Sequence, residues 1–288
     1  MTPSIIVIGG ANLDIKAKSL AINHFGTSNP STITTSPGGV GRNIAHNLAR
    51  LGANVSLITV IGQDHQGQAV LHATKAAGVD TSRINQTAPA TGTYIAALNP
   101  NGELVTAMSD MRAADEISPE LIEVHADALR AATFVVADCN LPLPTLQAIA
   151  NLARDKLFVE PVSVPKSAKL KALLQSGSVF MASPNLDQIE SLTGSRDIVV
   201  GCKALHDMGL QHIVAHAGIE GAFISHGDDI DHVPIQPAGP VIDVTGAGDA
   251  AVAGLLYALL QGDDLLTAAN FGQTLAGRVV ASAHSTLE

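Results

Sequence analysis

Short apolar runs that alternate with helical segments are the feature that most constrains the fold of this chain. The runs are rich in branched aliphatic residues and are typical of strands buried on both faces. They cover residues 5–8, 55–60, 133–137, 157–159, 179–182 and 212–215. Between them lie periodic segments such as 39–52, in which Val40, Ile44 and Leu48 fall on one helical face. This alternation predicts an α/β fold with a mostly parallel sheet covered by helices.

Residues 91–109 break this alternation. Two strand-like runs flank Asn99-Pro100-Asn101-Gly102, and Asn-Gly between such runs predicts a β-hairpin. The Thr- and Ser-rich stretch 27–36 can supply extended chain beside it. We therefore expect one domain over residues 1–288, with a small antiparallel β lid formed by about 13–36 and 91–112; the alternative is an ordinary hairpin at the sheet edge.

The charge and composition of the chain indicate which kinds of partner it can bind. The net charge is −10 and the Lys and Arg residues are scattered, which argues against a nucleic-acid partner. No apolar run approaches the roughly 20 residues of a membrane span, and the first ten residues do not have the pattern of a signal peptide. Cys139 and Cys202 have no metal-ligand spacing. We expect a cytoplasmic protein with reduced thiols that acts on small molecules.

The segment Asp-Val-Thr-Gly-Ala-Gly-Asp, residues 243–249, leads directly into an apolar, helix-like stretch. Gly246 and Gly248 allow a tight turn and a close approach to a ligand. Amide groups at the start of the next helix would then point at one place, which suits phosphate oxygens. Asp249 would lie beside this anion site, ready to accept a proton from an attacking hydroxyl group. On spacing alone, Asp249 is also compatible with a simple helix cap.

A second glycine cluster, Pro-Gly-Gly-Val-Gly-Arg-Asn, occupies residues 37–43 at the start of a predicted helix. The first strand ends in Gly-Gly-Ala-Asn-Leu-Asp, residues 9–14. Asn12, Asp14 and Asn43 offer the short amides and the carboxylate that can hold sugar hydroxyl groups. Each is equally compatible with a turn.

Together, the three motifs resemble the ribokinase family, the pfkB type of carbohydrate kinases, in order and spacing. The similarity runs from about residue 4 to the end of the chain. It implies a doubly wound α/β domain with a small β lid, ATP as phosphoryl donor and Mg²⁺ as counter-charge. It also implies that Asp249 is the base and that Gly246, Ala247 and Gly248 form the anion hole. Lid strands that pair between subunits would make a homodimer, as in some relatives.

Within the family, further segments resemble the branch that phosphorylates the 5′-hydroxyl group of pseudouridine. They are residues 28–30, 36–45, 110–111, 136–140 and 161–163, with Lys166 shortly after. The implied substrate residues are Asn12, Asp14, Gly38, Gly39, Asn43, Tyr94, Asp110, Asp138 and Asn140. Two alternatives stay open: a kinase for another ribosyl nucleoside or sugar, such as ribose or fructose, and a weakened homologue that binds nucleosides or nucleotides.

The stretch His-Ala-Gly-Ile-Glu-Gly, residues 216–221, resembles the family's TxGxxG nucleotide turn, with His in place of Thr. Asn185 begins the family's NxxE pattern, which organises Mg²⁺ near the phosphates. The implied nucleotide residues are Asn185, His216, Gly218, Gly221, Thr245 and Lys166. Asn185 and Gln188 are the implied indirect metal contacts.

Three positions depart from the family pattern. Gln188 replaces the Glu of NxxE, and Glu160 replaces the usual Asp before Pro161. The chain ends at Glu288, roughly a helix before the family's usual end. Family members often bind a monovalent cation between segment 243–245 and that end, so a cation site is an open question. A Rossmann dehydrogenase is disfavoured, because the first strand is followed by GGAN and not by GxGxxG.

Overall fold

The computed structural model describes residues 3–175, 177, 179–227 and 229–288. Its strands are β1 (Ile5–Ile8), β2 (Asn12–Ser19), β3 (Ser31–Gly38), β4 (Val55–Gly62), β5 (Ile84–Ala88), β6 (Gly92–Leu98), β7 (Leu104–Asp110), β8 (Phe134–Asp138), β9 (Leu157–Glu160), β10 (Met181–Ala182), β11 (His212–His216), β12 (Ala222–His226) and β13 (Asp229–Val233). Its α-helices are α1 (Val40–Arg50), α2 (His65–Ala76), α3 (Arg112–Asp115), α4 (Pro119–Val124), α5 (Ala126–Ala131), α6 (Leu143–Ala153), α7 (Val164–Leu174), α8 (Leu186–Thr193), α9 (Ile198–Asp207), α10 (Ala247–Gln261) and α11 (Leu265–Val280). Short 3₁₀ turns cover Arg154–Lys156 and Gly218–Glu220.

A large sheet forms the centre of the molecule. Its described strands follow the order β13-β12-β11-β10-β9-β8-β1-β4-β5. Neighbours from β11 to β5 pair in parallel, and β12 and β13 add an antiparallel edge. The predicted mostly parallel sheet is confirmed. The strand predicted over 179–182 is shorter, since only Met181–Ala182 pairs with its neighbours.

Helices cover both faces of this sheet, and alternate residues of β1 show why. Val7 belongs to a buried cluster with Ile44 of α1 and Val252 of α10. Ile8 belongs to a second buried cluster with Ile149 of α6. Each fully buried side chain of this size contributes about 1.5–3 kcal/mol. A strand that is apolar on both faces is therefore most stable between two helical layers, which is the predicted doubly wound arrangement.

The small sheet has the strand order β3-β2-β6-β7. β2 pairs antiparallel with β3 and parallel with β6, while β6 and β7 form the predicted hairpin. The lid is therefore mixed, and the expectation of a purely antiparallel lid was wrong. The reason is topological: the chain passes from β2 to β6 through β3, α1, β4, α2 and β5 and not through a hairpin turn. Because β2 begins only a few residues after the end of β1, the lid lies next to the carboxyl end of β1.

The two faces of the small sheet differ in character. Asp14 and Tyr94 are cross-strand neighbours, and Lys16 projects on the same side of β2. The opposite side exposes Ile33, Ile95 and Met108. Pairing of lid strands between subunits stays a prediction.

Two further observations concern the cysteines and the character of the helices. Cys139 and Cys202 are both buried and free. Among the described residues, no helix combines the length and apolar character needed to cross a membrane.

Candidate active site

The predicted site residues lie at one edge of the large sheet, where the parallel strands reach their carboxyl ends. Asn12 follows β1, Asp138 ends β8, Glu160 ends β9, Asn185 follows β10 and His216 ends β11. The strand order separates β1 from β11 by four steps. At about 4.8 Å a step, this edge is about 19 Å long. Carboxyl ends of parallel strands form the usual ligand crevice of open α/β sheets, and this one can take an elongated pair of substrates.

An anion site is built at the start of α10. Gly246 precedes the helix with φ of +81°, a left-handed conformation that favours glycine. Ala247 is the first helical residue and Asp249 lies in the first turn. Backbone amides at a helix start lack intrahelical partners and carry partial positive charge. The motif therefore places a carboxylate beside a group of amides suited to phosphate oxygens.

Asp249 is oriented by the second glycine motif. Asn43 Nδ2 donates a hydrogen bond of 2.8 Å to Asp249 Oδ2. Arg42, only 2% exposed, donates from Nη1 to Asn43 Oδ1 at 3.1 Å and to the Pro37 carbonyl oxygen at 3.2 Å. Because its Oδ1 accepts from Arg42, the Asn43 amide must direct its NH₂ group at Asp249. The two motifs, 206 residues apart, thus meet at one carboxylate.

The surroundings make Asp249 a stronger base than an exposed aspartate. Burial raises the pKa of Asp249 well above its ordinary value, and the nearby carboxylates of Glu160, Asp138 and Asp14 raise it further. The hydrogen bond from Asn43 opposes this increase in the pKa. The carboxyl group lies deep among protein atoms, yet the residue as a whole is only half-buried. A basic, accessible carboxylate beside an anion site is suited to accept a proton during phosphoryl transfer.

Asp14 lies on the inner side of the lid, next to the end of β1. Asn12 Nδ2 donates to Asp14 Oδ1 at 2.5 Å, and Asp14 is 8% exposed. Burial raises the pKa of Asp14, while the Asn12 hydrogen bond opposes the increase. A Cβ atom at Gly38 would collide with the Asp14 carboxyl group in its present position, so glycine leaves the room that this carboxyl group occupies. Gly39 follows directly as the residue that precedes α1.

A cavity of about 490 Å³ opens between the end of the lid and α7. It is lined by Ser109, Asp110, Met111, Arg112, Asp115, Asn140, Lys166 and Lys169. Arg112 Nη2 pairs with Asp110 Oδ2 at 2.6 Å, and this hydrogen bond lowers the pKa of Asp110 to about 2. Lys166 Nζ donates to Asn140 Oδ1 at 2.5 Å. Lys166 therefore lies with the predicted substrate residues Asp110 and Asn140, although the sequence placed it with the nucleotide residues.

A second concavity, of about 510 Å³, lies near Arg130 and the turn Arg154–Lys156. That turn directly precedes β9, so the concavity is at the amino-terminal edge of the sheet. The predicted site residues are at the opposite edge. We therefore do not connect this second concavity with the chemistry.

Asp138, a predicted substrate residue, is held by backbone amides of the protein. Asp138 is fully buried. Its Oδ2 accepts hydrogen bonds from the amides of Gly10 (2.8 Å) and Gly41 (2.9 Å), and its Oδ1 accepts from the amide of Asn140 (2.9 Å). Asp138 thus joins the loop after β1 to the first turn of α1. Both carboxylate oxygens therefore already accept hydrogen bonds from the protein, and a substrate contact by Asp138 stays a prediction.

The predicted nucleotide turn lies beyond β11. Ala217 N donates to the Gly221 carbonyl oxygen at 2.8 Å, and Gly221 N donates to the Gly218 carbonyl oxygen at 3.1 Å, which closes a tight loop. Asn185 and His216 form an isolated parallel β-bridge, so these two residues lie side by side. Burial lowers the pKa of His216 to about 4, and among the described groups its Nε2 has no hydrogen-bond partner. His216 is therefore a neutral imidazole with one unused nitrogen.

The residues around Asn185 do not fit a protein-held Mg²⁺ ion. Asn185 and Gln188 form a capping box, in which each side-chain oxygen accepts the backbone amide of the other at 2.9 Å. Asp187 and Glu190 both pair with Arg196 at 2.8 Å. The described residues contain no group of three or more His, Cys, Asp or Glu side chains arranged to hold a metal. Asn185 and Gln188 as indirect metal contacts stay a prediction.

Glu160 gives a testable pH dependence of stability. Burial raises its pKa to about 7, opposed by hydrogen bonds from Ser183 Oγ and from Val162 N. Between its ordinary pKa of 4.5 and about 7, the folded protein holds a proton that the unfolded chain has released. The free energy of unfolding of the wild type should therefore fall as pH rises through this window.

Glu160→Gln removes the titrating group and is expected to remove this part of the pH dependence. The stability advantage of the variant should be small near pH 4.5 and should grow to at most about 3 kcal/mol above pH 7. Urea unfolding of both proteins across this range measures the difference. A difference that does not change with pH contradicts the expectation.

The sequence did not point to two functional candidates, Arg42 and Lys16. Arg42 orients Asn43, and its position inside the glycine motif was the available signal. Lys16 Nζ contacts Asp243 Oδ2 at 2.5 Å and Thr245 Oγ1 at 3.1 Å. The period-2 pattern of β2 places Lys16 on the same side as Asp14, which could have drawn attention to it. Its partners, more than 220 residues away, could not have been found in this way.

Comparison with known proteins gives one family for the whole chain. The profile of the pfkB family carbohydrate kinases matches residues 2–287. The uncharacterized sugar kinase YeiI of Escherichia coli is 34% identical over 278 residues, which cover 94% of this chain and 76% of that protein. The pseudouridine kinase of Escherichia coli is also 34% identical over 278 residues, which cover 93% of this chain and 88% of that protein.

A solved structure supports the fold. The structure of Arabidopsis thaliana ribokinase complexed with ribose and ATP matches with a TM-score of 0.86 at 22% identity, over 99% of this chain and 94% of that chain. At this identity the likeness concerns the fold, and it confirms the ribokinase-like sheet with its small lid. The profile match and the two relatives extend the agreement to the sequence itself. The chain belongs to the pfkB family of carbohydrate kinases.

Proposed function

We propose that this protein transfers the γ-phosphoryl group of ATP to the 5′-hydroxyl group of pseudouridine. The observation that carries the phosphoryl transfer is the 2.8 Å contact between Asn43 and Asp249 at the start of α10, opposite the lid. The 34% identity to a pseudouridine kinase supports the acceptor. We further propose one catalytic domain whose lid is the small sheet, with ATP near His216, Gly218 and Gly221.

In the proposed reaction, the 5′-hydroxyl oxygen attacks the γ-phosphorus atom and the bond to the leaving ADP oxygen breaks. The hydroxyl proton passes to Asp249, whose Oδ2 is held by Asn43 and whose Oδ1 is left for the substrate. Amides at Gly246, Ala247 and Gly248 stabilise the charge on the transferring group. Mg²⁺ would enter with the phosphates of ATP, since the protein has no described carboxylate cluster for it.

The acceptor would lie between the lid and the end of β1. Asp14, held by Asn12 and fitted against Gly38, would accept hydrogen bonds from the ribose hydroxyl groups. The base would enter the cavity beside Lys166, Asn140 and Asp110. Pseudouracil carries two N–H groups and two carbonyl oxygens. A cavity wall that mixes ammonium, amide and carboxylate groups can pair with both kinds of atom.

The acceptor assignment is tested by ADP release with pseudouridine, uridine, adenosine, ribose and fructose. Preferential turnover of pseudouridine supports the proposal. The comparison with uridine is the sharpest, because the two nucleosides differ in whether the base offers a free N1–H group. Good turnover of ribose or of another nucleoside, with none of pseudouridine, contradicts the acceptor while it leaves the phosphoryl transfer in place.

A different sugar is the second candidate acceptor. The identity to YeiI, an uncharacterized sugar kinase, equals the identity to the pseudouridine kinase. The same substrate panel decides between them. A weakened homologue that only binds nucleosides is favoured by Gln188, whose side chain is used in the capping box. That reading predicts saturable binding without ADP release for every acceptor.

A further inference from the structure

The family resemblance raises the question of a monovalent cation at segment 243–245, and the structure shows a different occupant there. Lys16 Nζ lies 2.5 Å from Asp243 Oδ2 and 3.1 Å from Thr245 Oγ1. The other carboxylate oxygen, Asp243 Oδ1, accepts a hydrogen bond of 2.9 Å from Thr245 N. Both oxygens of Asp243 are therefore engaged by donors from this chain. The side chains of Lys16 and Asp243 are only 21% and 28% exposed.

We infer that the ammonium group of Lys16 replaces a bound monovalent cation beside the anion site, so that this protein works without added K⁺. An ammonium group and a K⁺ ion carry the same charge, and both are attracted to carboxylate and hydroxyl oxygens. The ammonium group, however, is tethered to β2 and is present at all salt compositions. A separate cation at Asp243 would have to displace it.

The local charge balance agrees with this role. Burial opposes ionisation of Asp243, but hydrogen bonds from Lys16 and Thr245 keep the pKa of this carboxyl group below its ordinary value. The lysine thus neutralises a carboxylate that would otherwise repel phosphate oxygens at the neighbouring amides. Without the positive charge, Asp243 would lie unpaired only three residues before Gly246.

The contact also joins two parts of the site. Lys16 lies on the lid strand two residues after Asp14, and Asp243 and Thr245 lead into Gly246 and α10. The ion pair therefore connects the strand that would hold the acceptor with the loop that would hold the phosphoryl group. The catalytic consequence of this contact rests on the proposed phosphoryl transfer, whereas the occupation of Asp243 by Lys16 does not. In this scheme Lys16 is a positioning residue that acts through the anion loop.

The test compares wild type, Lys16→Ala and Lys16→Met in chloride salts of K⁺, NH₄⁺, Na⁺ and tetramethylammonium at constant ionic strength. ADP release by the wild type should be the same in all four salts. Lys16→Ala should be at least about 10-fold slower in tetramethylammonium, because it loses charge stabilisation next to the anion site. K⁺ or NH₄⁺ should restore part of the rate of Lys16→Ala, because alanine leaves room for an ion. Lys16→Met should stay slow in every salt, because its side chain fills that room.

Lys18→Ala is the matched control, since Lys18 is an exposed lysine on the same side of the same strand. It should behave like the wild type in every salt. A wild-type rate that rises several-fold in K⁺ over tetramethylammonium overturns the inference. A Lys16→Ala variant with unchanged rate and no response to K⁺ overturns it as well.

The thermal midpoint gives a second measurement that does not depend on the acceptor. The midpoint of the wild type should not respond to exchange of tetramethylammonium for K⁺, whereas that of Lys16→Ala should rise saturably with K⁺. A K⁺-dependent midpoint of the wild type contradicts the inference even where no acceptor is turned over. If Lys16→Ala does not fold, Lys16→Met and the wild-type salt series still decide the question.

Discussion

Replacement of Asp249 by Asn is expected to lower kcat by about 10²–10⁴-fold, the usual contribution of a positioned general base. Asparagine keeps the size of the side chain and can still face Asn43, but it cannot accept the proton of the attacking hydroxyl group. The measurement is ADP release at saturating ATP and acceptor. ATP binding, followed by titration without acceptor, should change little, because the proposed anion site consists of backbone amides at Gly246, Ala247 and Gly248.

The same substitution should raise stability, which separates a chemical effect from unfolding. Burial and three nearby carboxylates disfavour the ionised form of Asp249, and a neutral amide removes this cost. A thermal midpoint that rises while activity falls cannot result from loss of structure. Asp263→Asn, an exposed change just beyond the other end of α10, is the control and should leave both quantities unchanged. An Asp249→Asn variant that retains more than about a tenth of the wild-type rate contradicts the assignment of the base.

The large sheet could be predicted from the sequence because its signals are local. Strands such as Ile5–Ile8 and Val55–Gly62 are buried along their whole length, so each reads as a continuous apolar run. The helix after the second glycine motif was predicted in the same way, from the spacing of Ile44 and Leu48. Each element carries its own pattern, and the alternation of patterns fixes the class of fold.

Contacts between distant segments could not be predicted in this way. The carboxylate of Asp138 accepts hydrogen bonds from the amides of Gly10 and Gly41, which lie 128 and 97 residues away along the chain, and no local pattern around Asp138 indicates these contacts. Lys16 and Asp243 are separated by 227 residues. Gln188 is different, since Asn-x-x-Gln before a helix is a recognisable capping box. In that case the local signal was present in the sequence. The same residues were instead interpreted as a departure from the family pattern NxxE.

Replacement of Asp14 by Asn should lower kcat/KM for the acceptor by about 10²–10³-fold. A hydrogen bond to a charged group contributes about 1.5–3 kcal/mol, and the substitution would affect the hydrogen bonds of two ribose hydroxyl groups. The amide has one acceptor oxygen where the carboxylate has two. Its NH₂ group would also face the NH₂ group of Asn12, which now donates to Asp14 Oδ1. Affinity for ATP should not change, because the nucleotide turn at β11 lies four strands away from β1. Steady-state kinetics with either substrate varied separates the two effects.

A cycle with 2′-deoxy acceptors distinguishes a direct contact from a general disturbance of the lid. If Asp14 accepts a hydrogen bond from the 2′-hydroxyl group, the wild type should discriminate strongly against the 2′-deoxy acceptor, and Asp14→Asn should lose most of that discrimination. Equal losses for the ribo and 2′-deoxy acceptors would mean that Asp14 supports the lid without contacting that hydroxyl group. Because Asp14 and Lys16 share one strand and one side of it, the lid would then act on the anion loop mainly through Lys16 and Asp243.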